Sequence, residues 1–100
     1  MLDLASARAG DFEPCVRQRF RLTTGPAPLE LELLAASPLA ARAAASGQRE
    51  PFSLLFRGPR DPVLSQRIYP LECAALGRLE IFLVPIGSDA LGMCYEAVFA

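Results

Sequence analysis

The chain contains no histidine, no lysine, no tryptophan and no asparagine. Without histidine, every Ser-His-Asp or Cys-His nucleophile arrangement is excluded, and the commonest metal ligand is missing. Without lysine there is no Schiff-base chemistry and no phosphate-loop lysine. All 10 cations are arginine and alanine supplies 16 residues, which reads as a compositional bias more than a functional choice. No apolar run approaches the roughly 20 residues that cross a bilayer. The opening Met1-Leu2-Asp3-Leu4-Ala5-Ser6-Ala7-Arg8 lacks a basic region followed by an apolar stretch, so no signal peptide and no membrane partner are expected. Ten arginines against 11 acidic residues leave a formal net charge of −1, a poor balance for gripping nucleic acid by charge.

Cysteine is sparse too. Cys15, Cys73 and Cys94 are widely spaced and none belongs to a CxxC pair. An odd count at such spacing argues against a disulfide framework and for a reducing, cytoplasmic compartment. Zinc would need a fourth ligand that cannot be histidine, so no metal and no cofactor are expected. The three thiols read as small hydrophobes that stay unpaired.

What remains is 100 residues, 52% of them hydrophobic, enough for one core in one domain spanning 1–100. A short helix is expected over Asp3 to Ala9, ended by Gly10, with Phe12 plugging one end of the core. From Arg17 the period becomes two. Arg19-Phe20-Arg21-Leu22 and Leu29-Glu30-Leu31-Glu32-Leu33 alternate charged and apolar residues around a turn rich in Gly and Pro. Setting Leu22 opposite Leu29 brings Arg21 to Glu30, Arg19 to Glu32 and Phe20 to Leu31. One register then satisfies the apolar face and the charges together.

Residues 35–50 break the alternation. Ser37-Pro38 and the alanine run predict a variable loop holding at most two helical turns. Further strands follow at 51–57, at 67–72 (interrupted by Pro70, hence an edge or a bulge), at 79–86 and at 93–99. Short strands with Gly/Pro turns and no helical crossovers predict a mainly β fold, a small antiparallel barrel or sandwich of about six strands with a short N-terminal helix.

Three chemistries merit weighing. Glu72, Glu80 and Glu96 lie within apolar strands and are the only candidates for paired-carboxylate acid/base work. With Ile86 opposite Met93, however, Glu80 and Glu96 fall on opposite faces of their hairpin. Arg57, Arg60 and Arg67, with Phe52, Phe56 and Tyr69, would suit a stacking platform for single strands, yet arginines at turns are ordinarily solvated and alternating strand aromatics are ordinarily core. The hairpin from Leu79 to Phe99 carries the third signal. Its expected faces, one with Phe82, Val84, Ile86, Met93, Tyr95, Ala97 and Phe99, the other with Leu79, Ile81, Leu83, Cys94, Val98 and Ala100, are both mostly apolar. An antiparallel sheet in a small monomer normally shows one face to water. Either the rest of the chain covers the second face or another protein does, and Tyr69, Tyr95 and Phe99 are the candidate contact residues.

The segments PFSLLFRGP, YPLECAALGRLEIFLVPIG and GMCYEAVFA resemble a small bacterial family of domains of unknown function, about 100 residues long. The resemblance runs from Phe12 to the C-terminus and is weakest from Ala35 to Glu50. It implies no activity, cofactor or catalytic residue. Cys73 stands where relatives are expected to carry histidine, which implies that the position is no required ligand. Members resemble short reading frames beside phage-tail-like or collar-type proteins, which implies a structural or assembly role.

The resulting expectation is a non-enzymatic binding or assembly module that acts through protein contacts, either with a second copy or with a larger partner, and without nucleic acid. The alternative is a barrel that holds a small apolar ligand or supports an unrecognised carboxylate enzyme, and such a barrel needs an internal cavity of about 300 Å³ or more.

Overall fold

The computed structural model describes residues 3–23, 28–39 and 51–99. Residues 24–27 of the turn predicted over 23–28 and residues 40–50 of the loop predicted over 35–50 lie outside them. Six antiparallel strands, β1 (Arg19–Leu22), β2 (Leu29–Pro38), β3 (Phe52–Gly58), β4 (Arg67–Cys73), β5 (Gly77–Ser88) and β6 (Met93–Phe99), close into a barrel in the order β1-β2-β3-β6-β5-β4. The β1–β2 register is the one that the alternation dictates: Arg19 opposite Glu32, Phe20 opposite Leu31, Arg21 opposite Glu30 and Leu22 opposite Leu29. Phe20, Leu22 and Leu31 face the core, while Arg19, Arg21 and Glu30 face water.

Closure is made by a short β1–β4 ladder, with Leu22 opposite Leu71 and Arg21 opposite Glu72. Arg21 thus has a glutamate across from it on each side, Glu30 on β2 and Glu72 on β4. Two bulges let so small a sheet curl, because an unpaired residue bends its strand and sharpens the twist. In β2 the register shifts between Leu33 and Ala35, so Leu34 is the extra residue. In β5 it shifts between Pro85 and Gly87, leaving Ile86 unpaired and 52% exposed.

The interior is filled by side chains. Phe20 and Phe56 meet edge-to-face at 5.2 Å, and Leu31, Leu33, Leu54, Leu71, Ile81 and Leu83 are fully buried around them. One end of the barrel is plugged by the chain before β1. A four-residue helix, α1 (Ala9–Phe12), runs into a 3-10 turn at Glu13–Cys15, driving Phe12 and Cys15 into the core. Phe12 packs against Phe52 and Phe99 with centroids 5.9 Å away in each case. The plug is fastened to β2 by Arg17 N–H donating to the Leu33 carbonyl (2.7 Å) and Leu33 N–H donating to that of Gln18 (3.1 Å).

Two expectations need correction here. The N-terminal helix starts at Ala9, not Asp3. The Asp3 carboxylate instead accepts Ala5 N–H at 3.0 Å in a local turn, and the Asp11 carboxylate accepts Arg8 N–H at 2.8 Å, starting the helix there. Residues 35–38 are strand, not loop: the Leu34 bulge resets the alternation so that Ala36 packs inward opposite Leu54.

Candidate functional site

Tyr69 and Tyr95, expected at a contact surface, are core residues at 7% and 1% exposure. Their rings sit on the inner face and their hydroxyls reach the far end of the barrel. Tyr95 OH accepts Leu64 N–H at 2.8 Å, and Tyr69 OH donates to the Ser65 carbonyl at 2.7 Å. The two tyrosines therefore tie down the β3–β4 loop, and burial pushes the Tyr95 phenol above its ordinary pKa. Phe99 is half-buried and stacks on Phe52 at 4.7 Å, closing the plugged end. None of the three centres an exposed surface.

The cause is the Ile86 bulge. The sequence register set Ile86 opposite Met93, whereas the structure pairs Ser88 with Met93, Pro85 with Tyr95 and Val84 with Glu96. The faces are accordingly regrouped: Leu79, Ile81 and Leu83 share the inside with Tyr95 and Ala97, while Phe82, Val84, Glu96 and Val98 point outward. The signal was present in Pro85, which has no N–H to give the ladder, and in Gly87, whose φ of 125° suits only glycine.

Regrouping also places Glu80 and Glu96 on one outer face, against expectation, but it does not make them a pair. Glu96 is opposite Val84, four residues along β5 from Glu80, or about 13 Å of strand. Carboxylates that share a glycosidic bond stand about 5–10 Å apart. Glu80 holds Arg78 at 3.5 Å in an exposed pair, and Glu72 lies outward on β4, opposite Arg78.

Nor do the arginines and aromatics form a stacking platform, since Phe52, Phe56 and Tyr69 are all buried. Arg57 is clamped. Its Nε and Nη2 donate to one Asp89 carboxylate oxygen at 3.0 and 2.8 Å, while Glu32 lies 4.0 Å from its Nη1. Arg60 donates to the Asp89 carbonyl at 3.0 Å. The second Asp89 carboxylate oxygen accepts the backbone N–H groups of Leu91 (2.8 Å) and Gly92 (2.9 Å), and the Cys94 thiol donates to the first at 3.6 Å. Asp89 thus knots the β5–β6 turn to β3, with both carboxylate oxygens accepting from donors inside the chain.

The Arg57 guanidinium, helped by Leu91 N–H, draws the Asp89 pKa from 3.8 down to about 2. A carboxylate whose pKa is lower in the folded state stabilises the fold fully above the unfolded value, and that stability is lost as pH falls through the folded value. The Asp89 contribution is therefore whole above about pH 4 and vanishes towards pH 2. The urea midpoint of Asp89→Asn should lie below that of the native chain at neutral pH, and the gap should narrow between pH 4 and pH 2. A gap that stays constant with pH would show that the clasp does not depend on the charge.

What faces outward instead is a row of apolar side chains across three neighbouring strands. Ile68 on β4 and Phe82 on β5 are directly paired. Val98 on β6 lies two residues beyond Glu96, whose partner on β5, Val84, is two residues from Phe82. Ile68 is 60%, Phe82 46% and Val98 55% exposed. The β1–β2 side of the same barrel presents Arg19, Arg21 and Glu30 to water. Two residues of the apolar row, Phe82 and Val98, belong to the Leu79–Phe99 hairpin, and Ile68 comes from the strand beside it.

Residues 7–99 match the family described as a domain of unknown function (DUF6916), and the chain belongs to that family. No curated protein and no solved structure matches it.

Proposed function

We propose that this member of the DUF6916 family is a non-enzymatic assembly module that packs the outer face of β4, β5 and β6 against a second copy of itself. The observation that carries the reading is the Ile68–Phe82–Val98 row on the outside of a closed barrel. Closure leaves no strand edge to pair with another chain, so association has to use a face. The row suits its own copy: a two-fold axis along β5 sets Phe82 on Phe82 and each Ile68 on a Val98, one aromatic flanked by β-branched side chains. The nearest charge along β5, Glu80, brings its own counter-ion in Arg78. The resemblance to short bacterial reading frames beside phage-tail-like proteins supports the assembly role and a cytoplasmic setting.

Three partly exposed side chains cover much less than the about 800 Å² per partner of a stable interface. The association is accordingly weak. Sedimentation of the 10.8 kDa chain from about 10 μM to about 1 mM should show the mass rising towards the dimer. The Ile68→Thr/Phe82→Thr variant, which keeps β propensity and removes the apolar area, should stay monomeric with an unchanged circular dichroism spectrum. A native chain that remains strictly monomeric at the top of the range overturns the reading.

A further inference from the structure

On the outside of the barrel one row of charges crosses four strands with alternating sign. Glu30 on β2, Arg21 on β1, Glu72 on β4 and Arg78 on β5 each stand directly opposite the next. Both ends of the row turn away to other partners: Glu30 takes Arg19 at 3.4 Å and Arg78 takes Glu80 at 3.5 Å. The two central side chains, Arg21 and Glu72, are exposed, and among the described residues neither has an ion-pair partner. Opposite charges set across from each other on paired strands ordinarily close on one another. Here a cleft of about 220 Å³ opens beside them instead. Its walls are Arg21, Glu72 and the Arg19–Glu30 pair, and the end of β4 at Cys73 and Ala74 completes it.

We propose that this cleft binds a free α-amino acid, whose carboxylate takes the Arg21 guanidinium and whose ammonium takes the Glu72 carboxylate. The balance of charge selects the ligand class. Two guanidiniums and two carboxylates give the cleft no net charge, so a simple ion drawn to one wall is repelled by the next. A zwitterion gains from both. An α-amino acid carries its two charges one carbon apart, and with charged hydrogen bonds of about 2.8 Å at each end it bridges two neighbouring strand positions. Arg21 offers the planar fork that holds a carboxylate by two bonds at once, which a lone ammonium could not.

Size and surroundings narrow the ligand further. The cleft is smaller than the roughly 300–1,000 Å³ that hold drug-sized molecules, which leaves room for one small one. Its far wall is a closed ion pair with little apolar surface, so a short polar side chain suits it better than a large apolar one. Arg21 and Glu72 both stand on strands whose register is fixed by the ladder that closes the barrel, so the two binding groups are held in place beforehand. The site is also separate from the apolar row. Glu72 lies four residues along β4 from Ile68, about 13 Å of strand, so ligand and second copy use different parts of the surface.

Serine is the probe. The isotope-labelled native chain is titrated with L-serine at neutral pH and low salt while its backbone amide resonances are followed. Saturable shifts are expected at Arg21, Glu72 and Ala74, half complete at about 1–10 mM and several-fold weaker in about 0.5 M salt. N-acetylserine, which has no ammonium, and serinamide, which has no carboxylate, should each bind at least about tenfold more weakly. Arg21→Gln and Glu72→Gln change outward side chains, so each should keep the native spectrum elsewhere and lose the serine response. Arg67→Gln, exposed and outside the cleft, should keep it. So should Ile68→Thr/Phe82→Thr, which separates ligand binding from self-association. A native chain that shows no saturable shift up to about 50 mM serine, as when Arg21 and Glu72 simply close on each other, overturns the proposal. An equal response to N-acetylserine or serinamide, or a serine response that survives in either glutamine variant, does so too.

Discussion

Replacing Phe20 with alanine is expected to cost about 3–5 kcal/mol, a large share of the roughly 5–15 kcal/mol that holds a domain of this size together. Phe20 is fully buried and stands edge-to-face on Phe56 at 5.2 Å. Its strand, β1, has only four residues, of which Phe20 and Leu22 alone face inward. Those two side chains are the apolar link between β2 on one side and β4 on the other, where two residue pairs close the barrel. Losing the ring therefore leaves a cavity where the sheet has least ladder to hold it shut, and little room to collapse without opening the seam. Urea unfolding monitored by circular dichroism measures the cost. The neighbouring arginines supply the contrast: Arg19, 3.4 Å from Glu30, is largely solvated, and an exposed pair of this kind contributes about 0–1 kcal/mol. A loss below about 1 kcal/mol for Phe20→Ala would mean that the seam is not the weak point of the barrel.

The β1–β2 hairpin was legible in sequence because two independent constraints, apolar alternation and charge pairing, demanded one register. The β5–β6 hairpin offered neither constraint. Its sequence is apolar on both faces, so a shift of register changed which residues were inside without violating any pattern. Pro85 and Gly87 marked the bulge chemically, but a bulge is selected by the curvature of the whole barrel, which no local window contains. Tyr69 and Tyr95 turn inward for the same reason. A rigid aromatic that suits an interface suits a core equally well, and the hydroxyls of these two hold Leu64 and Ser65. The closing β1–β4 ladder was beyond sequence reasoning altogether, because it joins segments about 50 residues apart that carry no pairing signal of their own.

Gly92→Ala should be the most damaging single-methyl addition among the described glycines, costing at least about 2 kcal/mol. Gly92 N–H is held by the Asp89 carboxylate and its carbonyl accepts Asp89 N–H at 2.8 Å, so the turn fixes where the residue lies. A methyl there would collide with the Gly58 carbonyl oxygen, with the Gly58 carbonyl carbon and Arg57 Cγ both 3.3 Å away. The obstacle is backbone at the end of β3, which cannot rotate aside as a side chain can. Relief can come only by moving the β5–β6 turn, which breaks the grip of Asp89 on Arg57. Gly10→Ala is the matched control. A methyl at Gly10 meets nothing within 4 Å, and in helix α1 the change should be neutral or stabilise by up to about 1 kcal/mol. Both variants add one methyl group, so a difference in unfolding midpoint between them reports the close approach and not the loss of a glycine. Equal midpoints would show that the β5–β6 turn moves freely over β3 and that the Asp89 clasp does not position it.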